Sequence, residues 1–150
     1  MPYWEDYQEG RIESFGAYEV TRQEVIEFAR KFDPQSFHLD DAAAAANPIF
    51  GRLAASGWHT CGMVMRMVTD AWTDNDGYFS LGGTGVDELR WTKPVYPGDV
   101  LSVQVEVLSR SAPRSRPQMG FVLFSITALN QHGEPVMTMK VTNIQKRRPT

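Results

Sequence analysis

The chain has 150 residues, 42% of them apolar and 22% charged, a size and balance that suit one substantial buried core and exclude the disordered and fibrous classes. A formal net charge of −3 excludes the basic excess that nucleic-acid-binding proteins use against phosphate. One cysteine, Cys61, rules out an internal disulfide and fits a reducing compartment. The opening MPYWEDYQEG carries early acids and no apolar h-region, and no apolar run reaches membrane-spanning length. The expectation is a cytoplasmic protein with neither nucleic acid nor membrane as partner. No internal repeat or linker interrupts the chain, so residues 1–150 are expected to form a single domain.

After an extended segment over Arg11–Val20, TRQEVIEFARKFD opens with a capping-box pattern, Thr21 followed three residues later by Glu24. Val25, Phe28, Ala29 and Phe32 then recur at i, i+3, i+4 and i+7, one helical stripe for a core. Pro34 disfavours helical geometry at Asp33 and ends the helix there. Asp40 or Asp41 caps a short helix through the alanines, which Asn47-Pro48 stops. Asp33 and His38 therefore fall in a connection between two helices, where rigid flanks can present side chains.

Ser56 is the expected N-cap of a third helix running to Ala71 or Trp72. Cys61, Met63, Val64, Met65, Met67 and Val68 cover several of its faces, and a helix apolar almost all round is a buried one. The C-terminal half of the chain supplies the cover. Leu101, Val103, Val105 and Val107 alternate with Ser102, Gln104 and Glu106, the period of a half-buried strand. Two β-rich runs, Gly120–Leu129 and Pro135–Gln145, flank a loop whose Gly133 suits a hairpin, and shorter candidates lie at Tyr78–Leu81 and Val86–Trp91 before the turn-like YPGD. Helices followed by antiparallel strands make an α+β class, most simply a sheet curled around the third helix.

Taken together, FDPQSFHLDD, NPIFGRLAASGWHT and DELRWTKPVYPGD with its paired strands resemble the MaoC-like dehydratases, which include the (R)-specific enoyl-CoA hydratases. The resemblance extends from about Tyr18 to Gln145. It implies a hotdog fold, with an antiparallel β-sheet wrapped around a long central helix, pairing as a homodimer or larger assembly, with an acyl thioester entering near the dimer interface. It implies a carbon–oxygen lyase of fatty-acid metabolism, with coenzyme A carried on the substrate and no separate cofactor. In that family an aspartate and a histidine five residues later form the hydration dyad, here Asp33 and His38. The glycine that opens the central helix, here Gly57, offers its N–H to the thioester carbonyl. The chain departs from the commoner family pattern at Gln35, Ser36 and Phe37, where Asn-Pro and an aliphatic residue are usual. It departs again at Ser56-Gly57, where His-Gly is frequent, and at Gly62, where a serine is often found.

Hydration of a 2-enoyl thioester needs a group to take a proton from water, a proton for C2 and stabilisation of charge on the carbonyl oxygen. His38 is the expected base and Asp33 the group that holds the same water, while the first N–H groups of a helix lack internal partners and can face the oxyanion. Read alone, an aspartate at a helix end is more often a cap or a solvated charge, and a histidine is more often a satisfied, half-buried side chain. Phe37, Ser56, Trp58 and Gly62 are the expected lining of the acyl site. Arg114 and Arg116, with Arg110, either meet the coenzyme A phosphates or belong to a solvated loop. No CxxC or HExxH spacing is present, so no metal is expected, and His59 reads as a packing or hydrogen-bonding residue at the helix start. The C-terminal KRRPT reads as a frayed tail. Two alternatives remain: an acyl-CoA thioesterase on the same fold, and a catalytically silent acyl-CoA-binding or assembly subunit.

Overall fold

The computed structural model describes residues 3–73 and 80–150. Strand β1 (Ile12–Glu19) is followed by helices α1 (Arg22–Phe32), α2 (Asp41–Ala46) and α3 (Gly57–Trp72), then by strands β2 (Ser80–Trp91), β3 (Val100–Ser111), β4 (Met119–Leu129) and β5 (Pro135–Lys146). The strands form a five-stranded sheet in the order β1-β3-β4-β5-β2, with every neighbouring pair antiparallel. Its concave face holds α3. Leu101, Val103, Val105 and Val107 of β3 are buried on that face with Val122, Phe124 and Ile126 of β4 and Met139 and Val141 of β5, against Met63, Val64, Met67, Val68 and Trp72 of the helix. The two periods, 2 for strands and 3.6 for the helix, thus meet in one core.

Local chemistry accounts for the helix ends. Thr21 Oγ1 accepts from Glu24 N at 3.2 Å, and Asp33 leaves helical geometry ahead of Pro34. The expected capping box is half made, because the Glu24 carboxylate turns away to Tyr18 and His59. Asp40 rather than Asp41 caps α2, its Oδ2 accepting from Ala43 N at 2.8 Å, while Asp41 pairs with Arg22 at 2.7 Å. β1 bulges between Phe15 and Tyr18 at Gly16, whose φ of +88° suits a residue without a Cβ. A Cβ at Gly16 would also overlap Met67, so this glycine lets β1 lie close on α3.

Several expectations are corrected. Phe32, fourth in the α1 stripe, lies outside the core and packs on Phe28 with ring centroids 5.1 Å apart, at the last turn of its helix. The central helix is not covered all round: Trp58, Gly62, Met65 and Thr69 form an exposed stripe along it. The short strands expected at Tyr78–Leu81 and Val86–Trp91 are one strand from Ser80 to Trp91, which continues through Gly82, Gly83 and Gly85 with shifts of register against β5, and Tyr78 and Phe79 lie outside the described residues. The tail is docked: Arg147 pairs with Glu5 at 2.9 Å, Arg148 with Asp6, and the guanidinium groups of Arg110 and Arg147 lie 4.6 and 4.8 Å from the Trp4 ring. Among the described residues no helix is long and apolar enough to cross a membrane.

Phe124 tests this core. It is 1% exposed and packs on Tyr7 and Trp72 with ring centroids 5.4 and 5.2 Å away. Phe124→Ala is expected to lower unfolding stability by about 3–5 kcal/mol in a denaturant titration, and a loss under about 1 kcal/mol would contradict the packing described.

Candidate active site

Asp33, at the end of α1, His38, in the single turn Ser36–His38, and Ser56, ahead of α3, converge on one point. Ser56 Oγ donates to Asp33 Oδ2 at 2.7 Å, and Gln35 Nε2 donates to Asp33 Oδ1 at 2.7 Å. Both carboxylate oxygens are thereby engaged by donors. Burial acts to raise the Asp33 pKa, but the bonds from Ser56 and Gln35 and the charge available on His38 outweigh it, holding the carboxyl below the ordinary value of 3.8. Asp33 is an anion at neutral pH.

His38 is 4% exposed, and its Nδ1 lies 2.7 Å from the Ala54 carbonyl oxygen. A carbonyl only accepts, so Nδ1 carries a proton, and Nε2 lies 3.5 Å from Asp33 Oδ2, toward which it turns a lone pair whenever the ring is neutral. Two acceptors at that separation have no direct bond to make. They suit a molecule that donates to both, such as water.

The start of α3 completes the arrangement. Ser56 occupies the N-cap position, yet its side chain makes no cap bond, being directed to Asp33. The first intrahelical bond is Thr60 N to Ser56 O at 3.1 Å, so the amides of Gly57, Trp58 and His59 precede the ladder. With the serine turned to a carboxylate instead of its own helix, amide donors are left facing the cleft side of the helix end. The cleft itself has a volume of about 420 Å³ and is walled by Phe37 and Phe50, stacked with centroids 5.0 Å apart, and by Trp58 and Trp91, 5.1 Å apart and edge-to-face. The loop after α2 adds to the wall: Asn47 Oδ1 accepts from Ile49 N and Phe50 N, and Tyr96 Oη donates to Phe50 O at 2.6 Å.

The MaoC-like domain model matches residues 9–120. The chain belongs to the MaoC-like domain family. The MaoC-like dehydratase from Rhodospirillum rubrum superposes with a TM-score of 0.88 at 36% identity over 100% of both chains. The Bacillus subtilis (strain 168) protein YdeM, itself uncharacterised, is 26% identical over 95% of this chain and 98% of its own length. The fold also matches the unliganded R-hydratase PhaJ1 from Pseudomonas aeruginosa, at 23% identity and TM-score 0.72, over 97% of this chain and 86% of that one. The architecture is the hotdog fold, as the resemblance implied.

Within this MaoC-like chain the expected site residues divide. Asp33, Phe37, His38, Gly57 and Trp58 line the cleft, and Ser56 stands behind them on Asp33. Gly62 lies on the exposed stripe of α3, away from the cleft lining. Arg114 and Arg116 lie in the β3–β4 turn and do not line the cleft of the same chain. Arg110 donates to the carbonyls of Trp4 and Glu5 and serves the tail clamp instead. The sequence alone does not mark Gln35 as a partner of Asp33, nor Ile49, Phe50, Trp91 and Lys93 as cleft residues; their only local signal is proximity to the motifs.

A second histidine–carboxylate pair holds the outer side of the helix start. His59 Nε2 meets Glu24 Oε1 at 2.9 Å, and Tyr18 donates to the same oxygen at 2.5 Å. Burial and then the Glu24 bond push the Tyr18 phenol up to about 12. Phe28 stacks on His59 with centroids 4.8 Å apart, so the pair fastens α1 to α3. Among the described residues no group of three or more His, Cys, Asp and Glu side chains is placed to hold a metal ion.

Because the folded-state pKa of Asp33 is depressed, its bonds contribute stability above the ordinary carboxylate value, and that contribution is lost as pH falls through the folded pKa. Ser56→Ala is expected to raise the Asp33 pKa in a carboxyl-carbon NMR titration and to cost about 1–3 kcal/mol at pH 7, a deficit that shrinks in acid. An unmoved Asp33 titration would refute the assignment.

Proposed function

We propose that the protein adds water reversibly to a trans-2-enoyl-CoA thioester, giving a 3-hydroxyacyl-CoA. The observation that carries this reading is the pair of acceptors, His38 Nε2 and the anionic Asp33 Oδ2, 3.5 Å apart beside the uncapped start of α3. A water donating to both is polarised and oriented, and His38 takes its proton as the oxygen attacks C3. The Gly57 N–H stabilises the growing charge on the thioester oxygen, where the helix end adds its partial positive charge. The imidazolium so formed, steadied by Asp33, holds the proton that C2 needs. Coenzyme A enters as the carrier of the acyl group, and no step calls on a metal or redox group.

The same reading includes a homodimer. The outer edge of β2 pairs with no strand among the described residues, and Leu81, Val86 and Trp91 stand exposed along it beside Trp58 and Met65 of α3. A long apolar edge is an aggregation hazard unless something covers it, and a second copy of the strand does so symmetrically. Val86→Glu is expected to shift the mass in light scattering from dimer to monomer; an unchanged mass would place the interface elsewhere.

Purified protein mixed with trans-2-butenoyl-CoA is expected to consume the enoyl absorbance without releasing thiol. His38→Ala and Asp33→Asn are each expected to slow this by about 10²–10⁴-fold. Thiol release would instead identify a thioesterase, and binding without turnover a silent subunit.

A further inference from the structure

Gly57 is crowded on the side where a side chain would stand: a Cβ there would overlap both rings of the Trp91 indole. The glycine is therefore required by a tryptophan already present, and that tryptophan lies against the residue whose amide faces the thioester. Trp91 ends β2 directly across from Met137, so its side chain leaves the sheet on the same face as that fully buried methionine. Trp58 meets it edge-on, with planes at 80°. The Cys61 sulfur lies 3.5 Å from Met137 Sδ. The ring is 45% exposed, yet Gly57 and Trp58 hold it on two sides.

We propose that Trp91 is the specificity-determining residue of the cleft. Its indole closes the space beside the Gly57 amide, so that compact acyl chains are accepted and long linear ones are turned away. The cleft, about 420 Å³, must receive the end of the pantetheine arm as well as the acyl group, so the bulk of the indole bears directly on the space left for the chain. On the same face of the sheet stands Met137, which is fully buried. A second wall is the Phe37–Phe50 stack, so the acyl group lies between two aromatic surfaces, a slot that suits a planar conjugated thioester. The substrate class is a short-chain 2-enoyl thioester. This rests on the hydratase reading for the reaction but not for the wall, which acts on any acyl-CoA.

The test compares the full chain with Trp91→Phe and Trp91→Ala. Affinities for the unreactive butanoyl-CoA and octanoyl-CoA are measured by calorimetry, and kcat/KM for the matching 2-enoyl thioesters alongside. The native protein is expected to prefer the shorter chain, and Trp91→Ala to raise the octanoyl-to-butanoyl ratio by about tenfold or more, with Trp91→Phe between. A native protein that binds octanoyl-CoA more tightly than butanoyl-CoA, or an unchanged ratio in both variants, overturns the proposal. Hydration with an unchanged ratio removes the wall and keeps the hydratase; a shifted binding ratio without hydration does the reverse. Thermal melts of Gly57→Ala, Trp91→Ala and the double variant check the contact itself. The added methyl is expected to destabilise the chain with Trp91 and to do so far less without it, and additive losses would overturn the packing on which the wall depends.

Discussion

The hydrogen bond from Ser56 Oγ to Asp33 Oδ2 joins residues 23 apart in sequence, one at the end of α1 and the other at the threshold of α3. Ser56 is fully buried and sits where a serine would ordinarily cap its own helix. By reaching outward it does two things with one proton. It keeps a carboxylate charged in a place where burial opposes charge, and it leaves the α3 amides without a side-chain cap. The position of His38 follows from the same strand of chain, since Ala54, two residues earlier, accepts from its Nδ1. Residues 54–57 thus help to hold Asp33 and His38 and supply the α3 amides beside them.

Much of the fold is legible in the sequence because periodicity survives without knowledge of contacts. β3 reads as a strand from its alternating valines and is one, with Leu101 and Val103 entirely buried. The bounds of β4 and β5 fall within a residue of expectation because turn residues punctuate them, Gly133 with a φ of +73° among them. β2 reads as two fragments for an equally physical reason. Its Gly-Gly-Thr-Gly centre offers almost no side chains to pack, and its strand geometry comes from pairing with β5, a long-range fact that local composition does not carry.

At the site, the motif spacing indicates Asp33 and His38 but not what holds them. Gln35 is visible as a departure from a familiar pattern, and its role as a donor to Asp33 appears only when the connection folds back on itself. Trp91 is hidden more completely, because it lies 34 positions after Gly57 and nothing in RWTKPV marks it as a neighbour of the α3 start. Arg114 and Arg116 show the reverse: guanidinium chemistry suits a phosphate, but the turn that carries them lies outside the cleft lining of the same chain, a placement that local sequence does not give.

Asp33 is a shared node, since Gln35 and Ser56 each satisfy one of its oxygens. Substitutions at those two positions are therefore not independent events. A change at either one alters how much of the hydrogen bonding to the carboxylate the other must carry, so their effects couple instead of adding. Such epistasis would link a loop and a helix cap through a single carboxylate.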